Sequence, residues 1–374
     1  MRCLSGPVAM LTLLLAIAPS VVIAQDKPPT KEEWQAVVDK AVAYLKANQD
    51  EDGGWGKDPN KRGVSGIVVT GLLQCGKSPD DEPTAKGLKY IESLVNAKEG
   101  HIAGESKIGI QNYVTSINVM ALAAAKRDEK YKPVIGNAAT YLRKIQWDET
   151  ENKTDKDANF GGAGYGGDGT RPDLSNTSFF LDALKAAGAK NDDPAFKKAI
   201  VFISRTQNLK SEFNDQPWAG KINDGSFIYT PANGGETRAG TPDLVGYGSM
   251  TYAGIKSMIY CGLTKDDPRM KAALGWVRKN YTLDANPGMP PQHPQRGLYY
   301  YYNSFGKAMT VLGDDTFTDD KGVVHNWRTD LFRAIQKRQQ PDGSWKNNVD
   351  NWMEGDPKLV TGYALMALSY CQPK

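Results

Sequence analysis

The chain is poor in the residues that build soft-metal and redox sites: its 374 residues include three histidines and four cysteines. That scarcity leaves little material for zinc clusters, haem attachment or a disulfide framework, so no metal and no cofactor is expected. Charge of one sign is also lacking. Forty-six lysines and arginines against 43 aspartates and glutamates give a net charge of +3. A nucleic-acid binder or membrane-surface binder would carry a clustered basic excess, so neither partner is expected. No segment after residue 24 holds an apolar run long enough to cross a bilayer. No alternating segment makes a convincing strand either, which leaves an all-α chain.

The first residues read as a secretory signal. Arg2 supplies the positive start, Met10 to Ala18 an apolar run too short to span, and Val22-Ile23-Ala24 the small-residue cleavage site. Export to the periplasm or the exterior after cleavage near Ala24 is therefore expected. Cys3 is not at the cleavage point, which argues against a lipoprotein anchor. The domain plan is a signal over 1–24, a linker over 25–30 and one folded body over 31–374.

What the body has is repetition. A twelve-residue window recurs six times, starting at Ser65, Thr115, Thr177, Thr251, Tyr302 and Thr361. Its seventh column is small throughout (Gly71, Ala121, Ala183, Ser257, Ala308, Ala367) and its eighth is Leu or Met (Leu72, Leu122, Leu184, Met258, Met309, Leu368). Fixed small and large columns on a helical period predict six equivalent, closely packed helices. They are expected near 62–76, 111–126, 174–188, 243–262, 297–313 and 357–372. A second, more amphipathic helix precedes each one, several ending in an aromatic followed five residues on by glutamine: Tyr44 with Gln49, Tyr141 with Gln146, Phe202 with Gln207. The end windows are as apolar as the middle ones, unlike the polar caps of a solenoid, which predicts closure into a ring. The stretch 205–240 is the least repeat-like.

Between helix pairs lie Gln49-Asp50-Glu51-Asp52-Gly53-Gly54-Trp55 and Gln339-Gln340-Pro341-Asp342-Gly343-Ser344-Trp345. Q-x-x-D-G-x-W at such a junction resembles the repeat of the terpenoid cyclase and protein prenyltransferase superfamily, across about residues 31–374. The resemblance implies a closed α/α toroid of six outer and six inner helices. Physically, the glutamine suits helix-end backbone groups and the tryptophan packs between repeats, a stabilising role.

The chemistries of that superfamily fit poorly. Squalene-hopene-type cyclases carry an acidic D-x-D-D run; the nearest match is Asp173-Leu174-Ser175-Asn176, with Ser175 and Asn176 where the acids are required. Zinc prenyltransferases are similar in fold, but their ligand positions fall on Tyr300, Tyr302 and Val360, which are not zinc ligands of that set. The thioester signature G-C-G-E-Q of complement-like relatives is missing. Cys75, Cys261 and Cys371 share the eleventh column with Ala125, Ala187 and Leu312. They read as buried small hydrophobes, with a Cys75–Cys371 disulfide as the alternative.

The candidate site is the barrel mouth. Gly297-Leu298-Tyr299-Tyr300-Tyr301-Tyr302 opens the fifth inner helix, and one or two of its tyrosines should face the cavity. Asp173, Asp243 and Asp356 each stand before an inner helix, either gathering at the same rim or capping their own helices. Lys256 and Lys307, in the sixth column, would add positive charge to the site if that column faced inward; the preferred expectation is that they face loops or solvent. The loop 155–169 is read as a glycine-rich cover over the mouth; as a calcium loop it has Phe160 and Gly166 where glycine and glutamate are needed. The expected function is binding of a small amphipathic or carbohydrate ligand through Tyr300, Tyr302, Asp173 and Asp243. The alternative is an active enzyme, a lyase, hydrolase or cyclase, acting on a polysaccharide or isoprenoid through the rim carboxylates, with no individual catalytic residue assigned.

Overall fold

The computed structural model describes residues 26–105, 109–166, 170–240 and 243–373, so the expected signal over 1–24 lies outside the described residues. Six helices form an outer layer: α1 (Lys31–Ala47), α3 (Glu82–Ser93), α5 (Asp128–Lys144), α7 (Pro194–Arg205), α9 (Pro268–Lys279) and α11 (Trp327–Gln336). Six alternate with them as an inner layer: α2 (Lys61–Gln74), α4 (Gln111–Ala124), α6 (Leu174–Ala186), α8 (Gly248–Tyr260), α10 (Leu298–Leu312) and α12 (Pro357–Ser369). Each inner helix packs on the next and α12 packs back on α2, so the inner layer is a closed ring. Among the described residues the strand content in one sheet is a hairpin of β1 (Phe317–Thr318) and β2 (Val324–His325).

The repeat columns explain the ring. All six small seventh-column residues are buried, and so are their Leu or Met neighbours. Gly71 shows why the column must be small: a Cβ there would lie 2.9 Å from the Gly362 carbonyl oxygen and 2.9 Å from Leu365 Cβ of α12. The first column faces outward, where its hydroxyls accept loop N–H groups. Ser65 Oγ takes the Trp55 N–H at 2.9 Å, Thr177 Oγ1 that of Ala163 at 3.0 Å and Thr361 Oγ1 that of Trp345 at 3.2 Å.

The junction glutamines act as staples between successive outer helices. Gln49 Nε2 donates to Gly53 O in its own loop and to Pro83 O of α3, at 2.8 and 2.9 Å. Gln146 and Gln207 repeat this with Ala195 O of α7 and Arg269 O of α9. Gln339 Nε2 donates to Val37 O of α1 at 2.9 Å, joining the two ends of the chain. Trp55 and Trp345 are fully buried and give their indole N–H to Leu45 O and Ile335 O, carbonyls of the preceding helix's last turn.

Two expectations are corrected. The fourth inner helix begins at Gly248 rather than near 243, because Tyr247 is extended and the Gly248 N–H is taken by Pro287 O at 2.7 Å. Lys256 and Lys307 face the barrel interior, since the sixth column lies on the inward side of each helix. The stretch 205–240 is irregular, pinned by isolated bridges between Gln207 and Phe227 and between Thr230 and Glu236. Cys75, Cys261 and Cys371 are free thiols; Cys75 Sγ donates to Leu365 O at 3.1 Å and Cys371 Sγ to Ala367 O at 3.5 Å.

Candidate functional site

The N-terminal ends of the inner helices surround a cavity of about 480 Å³. Every repeat contributes the residue two positions ahead of its window: Gly63, Tyr113, Ser175, Ser249, Tyr300 and Leu359. Four residues later on the same helix face come Ile67, Ile117 and Tyr363, also on the wall. Val64, Val114 and Met250 complete an aliphatic side from α2, α4 and α8, and the loops add Tyr165, Tyr229, Tyr247, Trp352 and Met353. The wall thus mixes aliphatic side chains from α2, α4, α8 and α12 with tyrosines from α4, α10, α12 and the loops.

The tyrosine hydroxyls are partnered in short chains. Tyr300 OH lies 3.0 Å from Ser175 Oγ, Tyr113 OH 3.3 Å from Tyr363 OH, and Tyr165 OH 3.2 Å from Tyr229 OH. Burial pushes the Tyr113, Tyr247 and Tyr300 phenols upward, so all three are neutral donors at physiological pH. Arg238, the cationic residue on the wall, stacks on the Tyr229 ring at 4.7 Å and pairs with Glu236 at 3.0 Å.

Among the described lining residues Glu354 is the one carboxyl. It is 1% exposed. Its Oε1 accepts the N–H groups of Tyr299 and Tyr300 at 3.0 and 2.8 Å, and its Oε2 accepts Asn347 Nδ2 at 2.6 Å. Burial pushes its pKa up to about 7, against the opposing pull of Asn347 and the N–H groups at the start of α10. The preceding loop carries Trp352 and Met353 in the left-handed region, at φ 56° and 65°. Such backbone costs energy in residues with a Cβ and is found where the surroundings fix it. Part of that fixing is Gly297, where a Cβ would come within 2.6 Å of the Trp352 ring.

The sequence-derived residues fare differently. Tyr300 stands on the cavity wall. Tyr302 does not: it is the first-column residue of its window, faces outward, and donates its hydroxyl to Leu283 O at 2.5 Å. Asp173 is fully buried as the cap of α6, accepting the Asn176 N–H at 2.8 Å. It lies behind the wall in contact with Tyr229, and burial pushes its pKa up to about 6. Asp356 likewise caps α12 through the Lys358 N–H at 2.9 Å. Asp243 is exposed, in the segment ahead of α8, away from the cavity wall. Ser175, where a cyclase acid would stand, offers a hydroxyl; Val360, at the zinc histidine position, is buried hydrocarbon.

In the loop 155–169, residues 167–169 lie outside the described residues. The carbonyls of Asp155 and Asp157 are held by the Arg205 guanidinium. Tyr165 brings the loop to the cavity, anchored where its carbonyl accepts the Asn112 N–H at 2.9 Å. Among the described residues no three His, Cys, Asp or Glu side chains gather as metal ligands, and no helix is long and apolar enough to cross a membrane.

Residues 57–230 match the family model of the squalene-hopene cyclase C-terminal domain. No curated protein sequence matches the chain. Among solved structures, the type II terpene cyclase MstE from Scytonema is similar at 12% identity and a TM-score of 0.57, covering 91% of this chain and 98% of that one. A complex of an MstE variant with its substrate, geranylgeranyl dihydroxybenzoate, is similar at a TM-score of 0.55. The unsaturated glucuronyl hydrolase of Bacillus sp. GL1 is similar at 16% identity and a TM-score of 0.56, covering 90% and 96%. The chain therefore shares an α/α-toroid fold with these solved structures, a fold that carries unlike activities.

Proposed function

We propose that the protein binds a small amphipathic molecule in the barrel mouth, with a hydrocarbon body against the aliphatic wall and a hydroxylated head toward Tyr300, Arg238 and Glu354. The observation that carries this reading is the composition of the wall: aliphatic residues from α2, α4, α8 and α12 stand together with tyrosine hydroxyls and one poised carboxyl. Apolar pockets with a few convergent polar groups are the usual form of small-molecule sites. A glycan fits less well, because the lining from α2 itself (Gly63, Val64, Ile67) carries no hydrogen-bonding side chain to meet sugar hydroxyls. The terpene cyclase complex of the same fold holds a ligand with an isoprenoid body and a dihydroxylated ring, which is the kind of molecule inferred here. With the signal read over 1–24, binding takes place outside the cytoplasm.

A thermal-shift screen of isoprenoid alcohols, prenylated phenols and neutral oligosaccharides tests the reading. The amphipaths are expected to raise Tm and the oligosaccharides to leave it unchanged; the reverse pattern transfers the site to glycans.

One observation favours a catalytic reading: Glu354 faces the cavity with a pKa near neutrality, suited to proton transfer. Hydrolysis of a glycosidic bond by the common route needs a second carboxyl across the cleft. Asp173 lies behind the wall, so binding is preferred. Turnover of any screened ligand that Glu354→Gln abolishes would reverse that preference.

A further inference from the structure

Beneath Tyr300 the barrel contains more positive than negative charge. The sixth window column supplies Asp182, Lys256 and Lys307 from α6, α8 and α10. Lys256 Nζ reaches Asp182 Oδ2 at 2.7 Å, Ser178 Oγ at 2.6 Å and Ser178 O at 3.1 Å, which occupies its three N–H groups. Lys307 Nζ lies 2.8 Å from Asp182 Oδ1, and its next neighbour is the Met120 sulfur at 3.8 Å. Among the described residues no second carboxylate pairs with either lysine. The other titratable groups near Asp182 are Tyr260 and Tyr370, kept neutral by burial, with Lys185 beyond the Tyr260 ring. One carboxylate therefore faces two ammonium groups, Lys256 buried at 4% exposure and Lys307 partly exposed at 17%.

A cavity of about 10 Å³ lies within the cluster, lined by Asp182, Lys256 and Lys307 and by Asn303 and Ser304 among others. That volume admits a single small particle and excludes a phosphate, a sulfate or a lipid head. Asn303 is 5% exposed and its Oδ1 has no hydrogen-bond partner. Turning that amide presents its N–H₂ group instead, beside the unshared N–H of Lys307.

We propose that this chamber binds one small monovalent anion, a halide, between Lys307 and Asn303, neutralising the barrel interior. The inference is independent of the ligand reading above, although Tyr300 borders both cavities and forms the partition between them. At neutral pH Lys256 stays protonated, burial having lowered it only to about 8.

The test compares Tm of the purified protein at pH 7 and constant ionic strength in sodium chloride, sodium bromide and sodium gluconate. A saturable halide-dependent rise of about 2 °C or more is expected, from binding to the folded state alone. Lys307→Met removes the excess charge and should abolish the halide dependence. A bromide-soaked crystal should show an anomalous peak in contact with Lys307 Nζ, a readout that needs no variant to fold. Equal Tm in all three salts together with no bromide peak would overturn the proposal and leave Lys256 deprotonation as the means of relief.

Discussion

Glu354 Oε1 accepts the Tyr300 N–H at 2.8 Å, so the carboxyl on the cavity wall also anchors the helix that carries the central tyrosine. Ligand chemistry and the start of α10 are thereby tied to one titrating group.

The tie predicts a pH dependence. Burial raises the Glu354 pKa from 4.5 to about 7 in the folded protein. The folded state then holds the proton more tightly than the unfolded chain, so this contribution to stability is full below about 4.5 and lost as pH rises toward 7. Glu354→Gln should flatten the fall in unfolding free energy across that window, an effect on the order of 3 kcal/mol. Asp173, raised from 3.8 to about 6, falls in the same direction and survives in the variant. Denaturant melts at half-unit pH steps measure both; identical profiles for wild type and variant would show that Glu354 does not titrate there.

Ring closure predicts a specific weakness. Gln339→Ala leaves the Val37 and Gly343 carbonyls without their amide donor and should cost about 1–3 kcal/mol in urea unfolding. The exposed Gln292→Ala should change stability by less than about 0.5 kcal/mol. Equal effects would remove the glutamine from the account of closure.

Much of this was legible in the sequence. The small and large columns gave the six inner helices, because they depend on local period, and the resemblance carried by the Q-x-x-D-G-x-W junctions implied the toroid. The cavity wall was present in the same register, two residues ahead of each window and four residues on, but its six residues differ too much in type to show as a column. Tyr300 falls on that stripe; Tyr302, two residues on, is turned about 200° away. Glu354 carried no signal, since it stands in a loop outside any window and only the fold brings it to the start of α10. Lys256, Lys307 and Asp182 shared a column whose inward direction becomes evident only from the packing.

The thiols provide another check. Burial raises Cys261 up to about 12 and pushes Cys75 and Cys371 upward as well. Native protein should react negligibly with a thiol reagent at pH 8, while all three react after unfolding without reductant. Recovery of Cys261 alone would mean that Cys75 and Cys371 are joined.

The central claim, an amphipath bound in the barrel mouth, is tested most directly by blocking the cavity without harming the fold. Gly63 lies in α2 on the wall, and a Cβ there meets nothing nearer than Val114 Cγ2 at 3.7 Å. Gly63→Leu therefore projects a side chain into the cavity while improving helix propensity by roughly 1 kcal/mol. Titration of both proteins with farnesol, followed by tryptophan fluorescence from Trp352 at the rim, gives the comparison. Saturable binding to wild type, weakened at least about tenfold in a Gly63→Leu protein of undiminished Tm, is the predicted result. Equal binding by the two proteins, or no saturable binding by wild type, would contradict it.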